Sequence, residues 1–207
     1  MIIEQITSPL LDSNMYVITE GGHAILIDPF ETTIKTVDCV DYILLTHEHY
    51  DHISGVNYWK EKTGATVICH EQCAENISNP KRNLSRYFGT FCEMQTWVEV
   101  TGTVENKDYI CYTDIACDDG YYIEWMGHKI EIFHLPGHSS GSSGIVVDSV
   151  HFFSGDSLIP GFEVDFFPPT GSKKLFAEIT KPFIEMLPED TIVYPGHFDV
   201  LNFEEML

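Results

Sequence analysis

An apolar run, Tyr42–Leu45, ends directly in the segment Thr46-His47-Glu48-His49-Tyr50-Asp51-His52. Four apolar residues without a polar break read as a strand buried on both faces. Such a strand sits inside a sheet, so the fold must bring its end to an edge where three imidazoles and a carboxylate can converge. The pattern recurs. The strand-like stretch His151–Ser154 leads to Asp156, and Thr191–Tyr194 leads through Pro195 and Gly196 to His197. Lys129–Phe133 reaches His138 across Leu135-Pro136-Gly137. Strand ends hold ligand side chains rigidly, and the loops beyond them can leave a coordination position open, as a catalytic metal requires.

In an extended segment, residues two apart point the same way. His47 and His49 are therefore expected to meet one ion, and Asp51 with His52, further around the turn, a second. Neutral imidazole and carboxylate suit zinc, iron or manganese without any thiolate. His23, His70, His128, His134 and His151 have no partner pattern and are expected to be structural. Ser139, Ser140, Ser142 and Ser143 read as turn and capping residues rather than nucleophiles.

Along the rest of the chain, Met15–Thr19 and Ala24–Ile27 are predicted strands around a Gly21-Gly22 turn, and the second stops at Asp28-Pro29. One or two helical turns are expected after Pro29. Ser54–Lys62 reads as a helix stopped by Gly64, Ala65–Cys69 as a strand, and Glu71–Ile77 as a helix. Tyr121–Trp125 and Lys129–Phe133 are predicted strands, and Gly144–Asp148 with His151–Ser154 a hairpin turning over Ser149-Val150. Lys173–Leu187 has helical spacing, begins at a solvated Lys173-Lys174 pair, and should kink at Pro182. Between Asn79 and Gly120 the periodicity fades. Tyr87, Phe88, Phe91, Trp97, Tyr109 and Tyr112 lie there, an expected aromatic lid over a largely apolar substrate. The length of 207 residues suits a single domain over 1–207, with an elaborated insert at about 79–120.

A formal charge of −21, with only 11 Lys and Arg, argues against nucleic acid and against an anionic membrane surface. No apolar run approaches a membrane span, and the first residues lack a basic region followed by an apolar one. The expected location is cytoplasmic, with the six cysteines as free thiols. The expected partner is a small-molecule substrate; oligomeric state is not legible.

Taken together, these residues resemble the metallo-β-lactamase superfamily. His47, His49, Asp51 and His52 match its H-x-H-x-D-H motif, and His138, Asp156 and His197 follow in order after the matching strands. The resemblance implies an α/β fold, a four-layer αββα sandwich with two divalent metal ions, zinc foremost and iron or manganese as alternatives, at one edge. It implies that His47, His49 and His138 hold one ion, that Asp51, His52 and His197 hold the other, and that Asp156 bridges them. It places Asp28 behind the ligands as their orienting acceptor. Tyr50, between two ligands, is a candidate substrate contact. Asp51 and Asp156 are the acidic residues of the implied chemistry, a metal-bridging hydroxide attacking a small acyl ester, thioester or lactone.

Within the family, the chain is most similar to short relatives of hydroxyacylglutathione hydrolase (glyoxalase II). That enzyme continues into a helical part that grips glutathione. With ten residues after His197, and no arginine in Gly161–Asp165, no such grip is expected here. Two alternatives stay open: a mononuclear iron dioxygenase using His47, His138 and Asp156 on a thiol or persulfide, and a metal-binding protein without catalysis.

Overall fold

A computed structural model of the protein describes residues 1–34, 38–94 and 104–206. Twelve strands among them form two sheets of six, in the orders β1-β2-β3-β4-β5-β6 and β12-β11-β10-β9-β8-β7. The first sheet comprises β1 (Ile2–Thr7), β2 (Asn14–Glu20), β3 (His23–Ile27), β4 (Cys39–Leu44), β5 (Thr66–His70) and β6 (Ile115–Cys117). The second comprises β7 (Tyr121–Trp125), β8 (His128–His134), β9 (Ser143–Val147), β10 (His151–Gly155), β11 (Ile192–Pro195) and β12 (Leu201–Asn202). Each sheet is mixed: β3, β4, β5 and β6 pair in parallel, as do β10 and β11, and the remaining pairs are antiparallel.

The period-2 alternation of side chains builds the layers. On β2, Tyr16 and Ile18 face the second sheet, where they meet Ile130, Ile132, Ile145 and Phe153. Met15 and Val17 face the other way, into a core with Ile53, Val56, Trp59 and Ile77. Those four come from the helices α1 (Tyr50–Ile53), α2 (Val56–Thr63) and α3 (Glu71–Ile77). The outer face of the second sheet offers Phe152 and Val193 to Phe183 and Ile184. The result is helix, sheet, sheet, helix, the expected αββα sandwich.

Several local expectations change. The helix expected over Ser54–Lys62 is α2, which starts after Gly55, and a short helix that was not expected, α1, precedes it and begins inside the histidine motif itself. Gly55 sits against the Phe30 backbone; a Cβ there would lie 2.4 Å from the Phe30 carbonyl carbon. Backbone cannot move aside cheaply, so Gly55→Ala is expected to cost about 3 kcal/mol or more, a fall in Tm of roughly 6–12 °C, measured by thermal unfolding. Gly64 caps α2 in the left-handed region (φ 72°), as its place in the sequence suggests. Between Pro29 and β4 the described residues form no helical turn.

The β9–β10 turn centres on Asp148 and Ser149, both with positive φ, not on Ser149-Val150. This matches the mirror-image turns that fit strand twist. Helix α4 (Phe88–Met94) and β6 give order to the segment that shows no periodicity. Their signal was weak because Phe88 and Cys92 bury locally, against Leu11 and Tyr50. Near Pro182 the helical stretch is α5 (Lys173–Leu175), a π turn at Phe176–Thr180, and α6 (Lys181–Glu185). The extra residue of the π turn falls just before the proline, which lies in the first turn of α6 and needs no N–H there. Cys39 is exposed, while Cys69, Cys73, Cys92, Cys111 and Cys117 are buried, all as free thiols. No described helix is long and apolar enough to cross a membrane.

Candidate metal centre

Strand ends from both sheets meet at one edge of the sandwich. Sheet one contributes Asp28 just beyond β3, and His47, His49, Asp51 and His52 beyond β4. Sheet two contributes His138 beyond β8, Asp156 beyond β10 and His197 beyond β11. His49 caps α1 in extended conformation, so Asp51 and His52 project from a helical turn rather than from an extended loop. The motif thus changes geometry at its midpoint, and its two halves point to different places.

One ring nitrogen each of His47, His49 and His138 lies within 4.8 Å of the others, and so do single ligand atoms of Asp51, His52 and His197. Asp156 stands between the two sets. Its Oδ2 is 4.0 Å from His47 Nε2 and 3.5 Å from both His138 Nε2 and His197 Nε2, and its Oδ1 is 3.5 Å from His52 Nε2. Asp51 Oδ2 lies 3.5 Å from His52 Nε2 and 3.6 Å from His197 Nε2. All seven residues predicted as ligands are therefore together, in the two groups expected.

The opposite nitrogens of these rings are fixed by acceptors. His52 Nδ1 donates to Asp28 Oδ2 (3.1 Å), His138 Nδ1 to the Asp165 carbonyl (2.9 Å), and His197 Nδ1 to the Leu11 carbonyl (3.0 Å). His47 Nδ1 meets Thr46 Oγ1 at 3.0 Å, and that hydroxyl donates to Asp28 Oδ2 at 2.5 Å. Asp28 also accepts the Thr46 N–H at 2.7 Å and occupies the left-handed region at φ 49°. With Nδ1 engaged, the Nε2 atoms of His47, His52, His138 and His197 are turned to the centre, the arrangement that outer acceptors impose on metal ligands, whereas His49 turns its Nδ1 there.

This constellation fits divalent cations. His47 Nε2, His52 Nε2 and Asp156 Oδ1 are buried with no hydrogen-bond partner, an arrangement that is costly unless something else meets those atoms. His138 Nε2, its other nitrogen spent on a carbonyl, faces His49 Nδ1 at 2.9 Å. Burial holds His47 and His49 well below the ordinary imidazole pKa, reinforced by His52 and His138 respectively, and neutral imidazole is the form that binds metal. Burial alone would raise the Asp156 carboxyl. His197 and His52 outweigh it and hold that group well below the usual carboxylate range.

Two glycines make the packing possible. A Cβ at Gly196 would fall 2.0 Å from Asp156 Oδ1, and one at Gly155 (φ 50°) would fall 2.5 Å from Thr46 Oγ1. The loop carrying His197 is steadied from the other sheet: Asn14 N–H donates to the Gly196 carbonyl (2.7 Å), and the Tyr16 hydroxyl donates to the Pro195 carbonyl (2.6 Å). Neither Asn14 nor Tyr16 stands out in the sequence, since both read as ordinary strand residues. Glu48, between two histidines of the motif, gives no sequence signal either. It is fully buried, accepting from Ser139 Oγ and Asn76 Nδ2, each at 2.8 Å. Burial pushes its carboxyl pKa up. It ties the motif to α3 and to the turn that carries His138. Ser142 Oγ accepts the Ser139 N–H, the turn role expected of these serines, while Ser140 Oγ accepts from Asn76 Nδ2 at 2.9 Å.

Tyr50, expected at the substrate, instead buries its ring behind the centre, 5.0 Å from Phe88 and 5.2 Å from Tyr109. A cleft opens in front of the centre, lined by His49, Asp51, His138, Asp156 and His197 at its floor. Phe88 and Phe91 of the expected aromatic lid line it, but Tyr87, Tyr109 and Tyr112 do not; Trp97 lies outside the described residues. A second wall, Ile159 to Phe167, was not foreseen. Phe162, Val164 and Phe167 face the cleft from it, beside Glu163 and Asp165. The remaining histidines sit elsewhere: His128 meets Asp148, His151 meets the Tyr194 hydroxyl, and His70 stacks on His134 at 3.8 Å.

Comparison with known proteins agrees with this arrangement. Residues 8–197 match the model of the metallo-beta-lactamase superfamily. Hydroxyacylglutathione hydrolase of Pelagibacter ubique is 30% identical over 202 residues, covering 93% of this chain and 70% of that protein. The Aeromonas hydrophila protein of the same name is 25% identical over 93% of this chain and 64% of its own length. The chain thus spans about two thirds of these relatives. Among solved structures, the BLEG-1 B3 metallo-beta-lactamase superposes with a TM-score of 0.79 at 23% identity, over 99% of this chain and 95% of that one. With the sandwich, the order of the ligand-type residues and the matched span all in agreement, the chain belongs to the metallo-beta-lactamase superfamily.

Proposed function

We propose that the protein is a dinuclear metal-dependent hydrolase of small acyl esters, thioesters or lactones. In this reading His47, His49 and His138 hold one ion, Asp51, His52 and His197 hold a second, and Asp156 lies between them. The observation that carries it is the position of Asp156, whose two oxygens lie 3.5–4.0 Å from Nε2 atoms of both sets. The hydroxyacylglutathione hydrolases among the relatives support acyl-thioester chemistry by their name. Zinc suits the all-imidazole and carboxylate donor set. When bound, such a pair lowers the pKa of a shared water to roughly 7 and polarises the carbonyl under attack. The second complete set, Asp51 with His52 and His197, favours this reading over a one-ion dioxygenase.

The chain's own residues supply charge balance, orientation and a dry wall. Asp51 and Asp156 offset the positive charge of the ions. Asp28 fixes His52 directly and His47 through Thr46. Phe88, Phe91 and Phe167 offer an apolar surface to an acyl body and exclude water beside the reacting carbonyl. Glu163 and Asp165 give the same cleft a negative rim, which favours uncharged or cationic substrate bodies over anionic ones.

The test is metal analysis of protein stripped with chelator and reloaded, beside a panel of chromogenic esters, thioesters, lactones and phosphodiesters. About two zinc or manganese ions per chain bound through these seven residues, with ester or thioester turnover, is the expected result. A single iron, with oxygen uptake on thiols and no hydrolysis, overturns it. Phe167→Ala should then lower kcat/KM for apolar acyl substrates by roughly 10- to 100-fold, mostly through KM, with the ion count unchanged.

A further inference from the structure

The opposite rim of the first sheet carries another convergence of ligand-type side chains. His23 opens β3 and Cys39 opens β4, and the two are direct partners in the parallel register. After the next pair, Ala24 with Val40, the register shifts, so that Ile25 pairs with Tyr42 and Asp41 is left as the extra residue. The bulge is visible in the packing: Val40 belongs to the helix-side core and Tyr42 to the inter-sheet core, though they stand only two positions apart. Bulges are uncommon between parallel strands, and they re-aim side chains beside functional sites.

Here the re-aimed group is the Asp41 carboxylate. Its Oδ1 lies 3.0 Å from His23 Nδ1 and accepts from Cys39 Sγ at 3.4 Å. Its Oδ2 accepts from the Trp125 indole N–H at 2.8 Å. One ligand atom from each of His23, Cys39 and Asp41 lies within 4.8 Å of the other two. Five residues of β3 separate this rim from Asp28, roughly 16 Å at strand rise, so the cluster shares nothing with the centre above.

We propose that His23, Cys39 and Asp41 form a binding site for one borderline-soft divalent cation of the zinc class, with solvent in the fourth position. Thiolate, imidazole and carboxylate together make a donor set for such an ion. They are carried by adjacent hydrogen-bonded strands rather than by loops, so little ordering is left to do on binding. Trp125 plays the part of an outer donor: it holds Oδ2, while the partners of Oδ1 are the other two ligand residues, His23 and Cys39. Binding breaks the S–H bond of Cys39: the sulfur keeps the electron pair and bonds the metal, and the proton leaves to solvent. No oxidant or reductant is involved. Cys39 is the exposed thiol of the chain, the other five being buried, so it is the one an ion can reach.

Cobalt(II) or cadmium(II) titration of the whole protein tests the site independently of catalysis. The ligand set proposed for the hydrolytic centre contains no cysteine, so a thiolate-to-metal charge-transfer band reports the rim alone, even if the hydrolase reading fails. The expected result is one equivalent that develops this band. Cys39→Ser should abolish the band and that equivalent, with the other bound ions and any ester turnover unchanged. His23→Ala should weaken the same equivalent by at least the ~10–100-fold that loss of an outer-shell partner costs. A wild-type protein that shows no thiolate band, or a Cys39→Ser protein that keeps it, overturns the proposal.

Discussion

Asp156→Ala is expected to cost the protein both ions and its turnover. The carboxylate lies within 4.0 Å of Nε2 atoms from both histidine sets, so on the proposed assignment its loss removes a ligand from each ion and the link that spaces them. It also takes from His52 one of the carboxylates that face it. Burial lowers that imidazole's pKa, yet Asp51, Asp156 and Asp28 outweigh burial and raise it to about 10. Without Asp156, two of those three carboxylates remain. A drop in turnover of at least roughly 10²–10³-fold is expected, the scale on which a single group stabilising the transition state acts. The accompanying loss of metal separates this outcome from a purely chemical one. His197→Ala serves as the contrast, since it should deplete the second ion and leave the His47, His49 and His138 set loaded. Metal analysis of the two variants checks both, and an Asp156→Ala enzyme with two ions and normal rates would remove the basis of the assignment.

Gly196→Ala should damage the centre almost as much without touching a ligand. The added methyl would stand 2.0 Å from Asp156 Oδ1, 2.9 Å from His52 Cε1 and 3.0 Å from the Gly155 carbonyl carbon. The Asp156 carboxylate is the softest of the three and must yield. Overpacking of this kind costs about 1–3 kcal/mol of stability. The displaced carboxylate should in addition lower metal affinity by roughly 10–100-fold, as loss of a supporting group does. Thermal unfolding and metal titration, measured separately, distinguish the two effects. Unchanged metal affinity with lowered stability would mean that Asp156 moves aside without functional cost.

The ligand set was legible because the residue types are chemically restricted and because apolar strands deliver them. Tyr42–Leu45 into His47 and Thr191–Tyr194 into His197 needed no alignment to be noticed. The layers were legible for the same reason, since the strands of an αββα sandwich have little choice about which residues they bury. Three things were not legible. The split of α1 from α2 depends on Gly55 meeting Phe30, a contact across 25 residues of chain that no local pattern encodes. The placement of Tyr50 depends on α1 starting inside the motif, which packs its ring against Phe88 and Tyr109 rather than among the residues that line the cleft. The wall at Ile159–Phe167 has neither helical nor strand period, and its aromatic residues line the cleft only because Asp165 is tied to His138. Glu48 shows the same limit from the other side. A glutamate between two histidines reads as solvated filler until Ser139 and Asn76, distant in sequence, close around it.

The two sheets are also two uninterrupted stretches of chain, β1 to β6 before Asp118 and β7 to β12 after Gly120. The first stretch owns His47, His49, Asp51 and His52, and the second owns His138, Asp156 and His197. Neither half carries a complete set for either ion once Asp156 is counted with both. Ions at this edge would act as a clasp between halves that must first find each other through their shared apolar face. At a hundredfold excess over Kd a ligand of this kind adds about 2.7 kcal/mol to the folded state, and here that increment would fall on the seam itself. A chain cut at Asp118–Gly120 would be held together by its own cofactor, and metal supply would set how tightly the two pieces stay joined.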